Sequence, residues 1–234
     1  MKILASGCSF TAGWSEPRAN WPSRIHRGDA VKNLAYAGAG NRYISQSIVI
    51  ELLHNLEYYD LVLVMWSGLQ RMDMMINNIV YDHLDSHKIS VGGSYCYGFL
   101  GDAYSHKHNE VLLQSASKEM FKLSNEETLG CASLIEMINL QNFLKANSIP
   151  YRFMSYVNYW GDAAQVTNLN FGVHKYLSCS QLAKHLDFDN FLFYNDSHDG
   201  FYEFARDKNM IADDGFHPTL QAHIEWADFI REQL

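Results

Sequence analysis

The sequence predicts an α/β sandwich, a parallel sheet with helices on both faces. Strand-like and helix-like segments alternate along the whole chain, the pattern of a three-layer α/β architecture. The run Leu61-Val62-Leu63-Val64-Met65-Trp66 is apolar throughout, as expected of a strand covered on both faces and therefore of a parallel sheet. Three strand-like runs also end in turns of small residues: Gly7 to Gly13, Gly38 to Asn41, and Ser67 to Arg71. In a parallel sheet these turns share one edge, the carboxyl ends of the strands, where open α/β sheets build their sites.

Each element follows from its local pattern. Ile3-Leu4-Ala5 is a short apolar run stopped by Gly7, a buried strand ending in a turn. Residues 14 to 28 are polar and contain Pro and Arg, a loop leading into a short helix. Ala30 to Ala35 is expected to form the second strand. Tyr43 to Leu56 carries Ile44, Ile48, Leu52 and Leu56, with Val49 and Leu53 beside them, at helical spacing. Leu61 to Trp66 is the third strand. Glu126 to Asn147 recovers strong helical periodicity at Leu129, Ala132, Ile135, Ile138 or Met137, and Phe143. Ser124 is the expected N-cap there, with Glu127 completing a capping box. Tyr151 to Val157 makes a fourth strand and Phe191 to Tyr194 a short fifth. A short helix is expected at Phe201 to Arg206, and an amphipathic one at Thr219 to Leu234. Residues 74 to 124 contain four glycines, many Tyr and His residues and no sustained period. Fifty residues are too many for a simple connection, so they are expected to form an insertion with short helices over the active-site edge. No boundary for a second domain appears, and residues 1–234 are read as one domain.

Composition narrows the function. At 234 residues a chain buries roughly 70–75% of the surface its unfolded form exposes, so it needs no disulfide staples. A net charge of −8 argues against nucleic acid, which requires a basic face, and no Lys/Arg cluster suggests a membrane surface. Cys8, Cys96, Cys131 and Cys179 are scattered without metal spacing, and are expected to be free thiols of a protein made in the cytosol. The N-terminal apolar run is too short for a signal peptide, and nothing approaches about 18 consecutive apolar residues.

The chemistry-bearing residues sit at the two ends of the chain. The opening turn, taken alone, reads as an ordinary β-to-α turn with Ser9 or Thr11 as helix N-cap. Near the other end stands Asp213-Asp214-Gly215-Phe216-His217-Pro218. An Asp and a His three apart on a turn place a carboxylate against one imidazole nitrogen and leave the other free as a base, the logic of a serine triad. Other candidates are weaker. His83 and His87 could share a helix face and bind a metal, but no third ligand suggests itself. His106 and His108 lie in a polar loop, and the opening turn lacks the Lys-Ser/Thr of a phosphate loop. Trp66, Trp160, Tyr95, Tyr97 and Tyr159 suit either a sugar groove or lid packing.

Gly-x-Ser-x-Thr-x-Gly at residues 7–13 with Asp-x-x-His-Pro at 214–218 resembles the SGNH, or GDSL-like, hydrolase family. The resemblance implies a flavodoxin-like, three-layer fold with Ser9 as nucleophile, His217 as general base and Asp214, rather than Asp213, as its orienting partner. In that family the oxyanion is held by the nucleophile's N–H, a glycine N–H after the second strand and an Asn after the third. Gly38 or Gly40 fits the glycine, Gly40 being favoured because it directly precedes a polar residue. The third block departs: Trp66-Ser67-Gly68-Leu69-Gln70-Arg71 has no Asn. Ser67 could supply a hydroxyl donor, Arg71 a charged one, and Asn41 could reach in from the neighbouring turn, with Trp66 as a further contact. Cys8 replaces the Asp of the GDSL motif. Cys beside the nucleophile and Trp-Ser in the third block look like phage and marine environmental members.

The implied activity is hydrolysis of a short-chain ester, such as an acetyl ester on a sugar, with no metal or organic cofactor. Two alternatives stand beside it: an O-acyltransferase on the same triad, and a non-catalytic carbohydrate-binding or virion structural relative.

Overall fold

A computed structural model describes residues 1–13, 20–25, 31–76, 94–99, 102–104, 123–161 and 172–234. Its centre is a four-stranded sheet of β1 (Ile3–Ser6), β2 (Val31–Asn33), β3 (Leu61–Trp66) and β7 (Tyr151–Ser155), in the order β2-β1-β3-β7. Every pairing is parallel, with Ile3 opposite both Val31 and Leu61, and Val64 opposite Phe153. All residues of β1 and β3 are buried, the two-sided covering that their apolar runs require. The expected fifth strand shrinks to one parallel bridge between Phe153 and Phe191. The chain at Phe191 follows a 3₁₀ turn (Phe188–Asn190) and stays on the sheet for only one residue.

The helices are α1 (Ser9–Ala12), α2 (Asn41–His54), α3 (Glu126–Ala146), α4 (Leu177–Ala183), α5 (Phe201–Asp207) and α6 (Leu220–Gln233). α2 packs on α3 and α3 on α4, while α6 packs on α5 and on a 3₁₀ turn at Pro22–Arg24. In α2 the expected Ile44, Ile48 and Leu52 are buried, whereas Leu53 and Leu56 are exposed. The helix ends at His54, so Leu56 never joins its face. α3 turns inward a face that apolar spacing only partly marks. Ile135 is exposed, while Ser133 and Gln141 are buried. Ser133 Oγ donates to the Leu69 carbonyl, and the Gln141 amide bonds the His185 carbonyl and the Asp187 N–H. A polar side chain satisfied by backbone can replace an apolar one in a core. Asn125, not Ser124, caps α3, its Oδ1 accepting the Thr128 N–H at 2.8 Å. The cap of α6 is Thr219.

Within 74–124, residues 74–76, 94–99 and 102–104 are strand. β4 (Met72–Ile76), β5 (Ser94–Phe99) and β6 (Asp102–Tyr104) form an antiparallel sheet in that order. The rest of the expected insertion up to residue 122, His83, His87, His106 and His108 included, lies outside the described residues, as do most of 14–28. No helix among the described residues is long and apolar enough to cross a membrane. Cys8, Cys131 and Cys179 are free thiols.

Candidate active site

The site begins where β1 turns into α1. A Cβ on Gly7 would lie 2.2 Å from Thr11 Oγ1 and 3.0 Å from the Met65 carbonyl, so only glycine lets the helix fold back this tightly. Cys8, in extended conformation, is the N-cap, and its carbonyl accepts the N–H groups of Thr11 and Ala12. The cap is therefore neither Ser9 nor Thr11. Ser9 is the first helical residue, a position whose N–H has no intrahelical acceptor and points towards whatever lies before the helix. The Cys8 side chain is fully buried in the core, where it serves as a small apolar filler.

The second half is the turn before α6. An antiparallel bridge between Ile211 and Pro218 closes it, and Gly215 takes its corner at φ +73°. Asp214 Oδ1 accepts the N–H groups of Phe216 and His217, each at 2.9 Å, which fixes the carboxylate to its own turn. Its other oxygen, Oδ2, stands 2.6 Å from His217 Nδ1, and His217 Nε2 lies 3.0 Å from Ser9 Oγ. The Asp-x-x-His spacing thus lets one carboxylate hold both the backbone and the imidazole of His217.

Electrostatics follow from this arrangement. Burial lowers the His217 pKa below 6.5, the Asp214 carboxylate opposes that shift, and the charge of Arg71 adds to it. The shift favours the neutral imidazole, the form that can accept a proton from a neighbouring hydroxyl. Burial alone would raise Asp214. The N–H groups of Phe216 and His217 and the His217 ring outweigh it and hold the carboxyl below 3.8.

An aromatic cage fixes the ring. Phe10 lies 5.5 Å from His217 and 5.3 Å from Phe216, centroid to centroid, with Tyr156 at 4.9 Å on another side. Sequence reading did not single out Phe10, Tyr156 or Phe216. The available signal was position alone: Phe10 and Phe216 directly adjoin Ser9 and His217.

The remaining expected residues divide. Gly38 forms the corner of the β2–α2 turn at φ +87°. The Gly40 N–H is already given to Asp73 Oδ1 at 2.8 Å, so it is not an open oxyanion donor. Asn41 does not reach into the site. Its Oδ1 accepts the Ser67 N–H at 2.8 Å and its Nδ2 donates to the Ser67 and Gly68 carbonyls, which clamps α2 to the end of β3. Ser67 is 0% exposed and its hydroxyl has no hydrogen-bond partner, so no ligand can touch it without moving the chain. Trp66, Tyr159 and Trp160 are buried as well, Trp66 packing edge-on against Phe153, and they belong to the core rather than to a groove. Arg71 donates from Nη1 to the Ala39 carbonyl at 3.0 Å and lies over the Tyr156 ring. Among the described residues no group of three His, Cys, Asp or Glu side chains is placed to hold a metal.

The comparison with solved structures decides the fold. The chain is similar to the psychrotrophic esterase EstA from Pseudoalteromonas sp., at 10% identity and a TM-score of 0.50, over 99% of this chain and 94% of that one. A lipolytic protein of the G-D-S-L family from Veillonella parvula gives 12% identity and a TM-score of 0.50, over 99% and 97%. A GDSL-like lipase from Bacteroides thetaiotaomicron gives 14% and 0.50, over 99% and 86%. The fold is that of the SGNH, or GDSL-like, hydrolases. The SGNH strand order places Ser9 after β1, beside the point where successive connections diverge to β2 and β3, the crevice in which open α/β sheets bind ligands. No family model matches the sequence, and neither does any curated protein.

Proposed function

We propose that this chain is a serine esterase, with Ser9 as nucleophile, His217 as general base and Asp214 as the group that orients it. One observation carries the reading: His217 reaches Ser9 Oγ at 3.0 Å through Nε2 and Asp214 at 2.6 Å through Nδ1. Both distances lie within the reach a nucleophile–base–carboxylate relay needs. Ser9 Oγ attacks the ester carbonyl carbon and passes its proton to His217 Nε2, while the carbonyl π pair moves onto oxygen. The Ser9 N–H, free at the start of α1, donates to that oxyanion. Collapse expels the alkoxide, which takes the proton from His217 and leaves an acyl group on Ser9. Water repeats the sequence and releases the acid.

A short acyl group such as acetyl is the proposed acyl half. The sugar half rests on the aromatic residues of 74–124 alone, since Trp66, Trp160 and Tyr159 are core residues. Residues 74–124 are proposed as an insertion in a single domain, bordering the substrate. β4 supports this, because it starts directly after Arg71 and carries Asp73 to the N-terminus of α2.

Hydrolysis of p-nitrophenyl acetate by wild type and Ser9→Ala tests the reading, together with fluorophosphonate labelling. The expected result is Ser9-dependent turnover and a label on Ser9. Equal rates for the two proteins would overturn it, and a label elsewhere would overturn the site.

A further inference from the structure

We propose that Cys131 and Cys179 form a peroxide-responsive thiol pair, a modification site whose closure to a disulfide fastens α3 to α4. The inference is independent of the esterase reading, because neither residue belongs to the Ser9, His217 and Asp214 relay.

The two sulfurs are already neighbours. Cys131 Sγ, in the second turn of α3, stands 3.7 Å from Cys179 Sγ, in the first turn of α4. A disulfide requires about 2.0 Å, a closure left to the rotation of two side chains on helices that pack together. The backbone around them is fastened without the bond. Lys175 and Tyr176 both reach the Glu126 carboxylate, and Ser178 Oγ donates to that of Glu127. Cys179 directs its single S–H at the Glu127 carbonyl, 3.8 Å away, which leaves its lone pairs for Cys131. The thiols differ in access, Cys131 being half-buried and Cys179 buried. Burial, and after it the neighbouring Cys131, pushes the Cys179 thiol up to about 12. Cys131 is therefore the thiol that meets an oxidant first, and Cys179 the one that resolves it.

With hydrogen peroxide as oxidant the reaction balances. The Cys131 thiolate attacks one peroxide oxygen, the O–O bond breaks, and the departing hydroxide takes up the thiol proton as water. Cys131 is then a sulfenic acid, which condenses with a thiol. Its thiolate charge, one cause of the high Cys179 pKa, is gone at that stage. The Cys179 sulfur attacks the Cys131 sulfur, the S–S bond forms and the S–O bond breaks. The leaving hydroxide accepts the Cys179 proton as a second water. Two thiols thus lose two electrons, and one peroxide is reduced to two waters. The new bond links residues 48 positions apart and so restrains the unfolded chain.

The test treats the full chain with graded hydrogen peroxide, unfolds it, alkylates the remaining thiols and maps linked peptides by mass spectrometry. The dose is kept below that at which Cys8, fully buried, stops being alkylated. The expected result is a Cys131–Cys179 link within one chain, reversed by dithiothreitol. The linked protein should unfold about 4–8 °C above the reduced one. Cys179→Ala should stop at a sulfenic acid on Cys131 that dimedone labels, and Cys131→Ala should leave Cys179 reduced at the same dose. Should either variant not fold, the wild-type map decides alone. Both thiols still alkylated at that dose, a link to Cys8 or Cys96, or a link only between two chains would overturn the proposal. So would oxidation of Cys179 in Cys131→Ala, or a linked protein that unfolds no higher than the reduced one.

Discussion

The Asp73 carboxylate accepts the Gly40 N–H at 2.8 Å through Oδ1 and the Tyr43 N–H at 2.7 Å through Oδ2, and so occupies the N-terminus of α2. The fit leaves no room: a Cβ on Gly40 would meet those oxygens at 2.9 and 2.8 Å. Gly40→Ala is expected to destabilise the fold by about 1–3 kcal/mol through overpacking. The same substitution in an Asp73→Ala background should cost less, because the atoms it strikes are gone. Urea unfolding of the four proteins of this cycle measures the coupling, and strict additivity would refute the contact.

Asp73 also sets a pH dependence. Burial lifts its carboxyl from 3.8 to about 6, against the bonds from Tyr43 and Gly40 and the charges of Arg71 and Arg42. The folded state therefore binds this proton more readily than the unfolded one, so acidification from pH 7 towards 4.5 stabilises the protein at this position. Relative to Asp73→Asn, wild type should gain roughly 2 kcal/mol over that interval. Unfolding midpoints of both proteins at the two pH values read the difference, and a gap that stays constant or closes would contradict it.

Catalysis should depend on pH in the opposite sense. The pKa of His217 is held below 6.5, so kcat/KM for an ester is expected to be flat through neutrality and to fall on an acid limb below pH 6.5. A limb above 7 would mean that the ring is not the buried base described.

Asp214→Asn keeps an oxygen for the N–H groups of Phe216 and His217 but presents an amide where a carboxylate holds the imidazole tautomer. The expected loss in kcat is about 10³–10⁴, with the unfolding midpoint within about 1 kcal/mol of wild type. A drop of only a few-fold would place the carboxylate outside the relay.

Gly200 has no room for a side chain. A Cβ there would lie 2.4 Å from the Ser155 carbonyl and 2.9 Å from the Val157 N–H, both backbone. Gly200→Ala should destabilise by about 3 kcal/mol or more, since neither neighbour can yield as a side chain would. It should also lower activity, because Gly200 opens α5 at Phe201, which packs on Phe10. Thermal unfolding checks the first effect and the ester assay the second.

The parts of this molecule legible in the sequence are those written in one-dimensional spacing. Leu61–Trp66 is a strand with the expected bounds because every residue in it is apolar, and Glu126 begins its helix where the period begins. Ser9, Asp214 and His217 could be picked out because short motifs fix their local geometry. Commitments made through space stayed hidden. Nothing in the string says that the Gly40 amide is spent on a carboxylate 33 positions later, or that Asn41 clamps Ser67. The inward face of α3 is legible at Leu129 and Met137 but not at Ser133 and Gln141, which are buried by their bonds to backbone and not by apolarity. Phe191 failed as a strand because apolar composition cannot tell a strand from a residue that touches the sheet once.

The contact between Ser9 and His217 spans 208 positions, and the Trp21 N–H reaches His223 Nδ1 across 202. During synthesis Ser9 therefore leaves the ribosome 208 residues before His217. The parallel sheet can assemble while the turn at Ile211–Pro218 is still being made, but Ser9 has no imidazole beside it until that turn docks. If Ser9 is the nucleophile proposed above, its reactivity would report the docking of that turn, and a chain released before residue 211 would carry every strand of the central sheet and no His217.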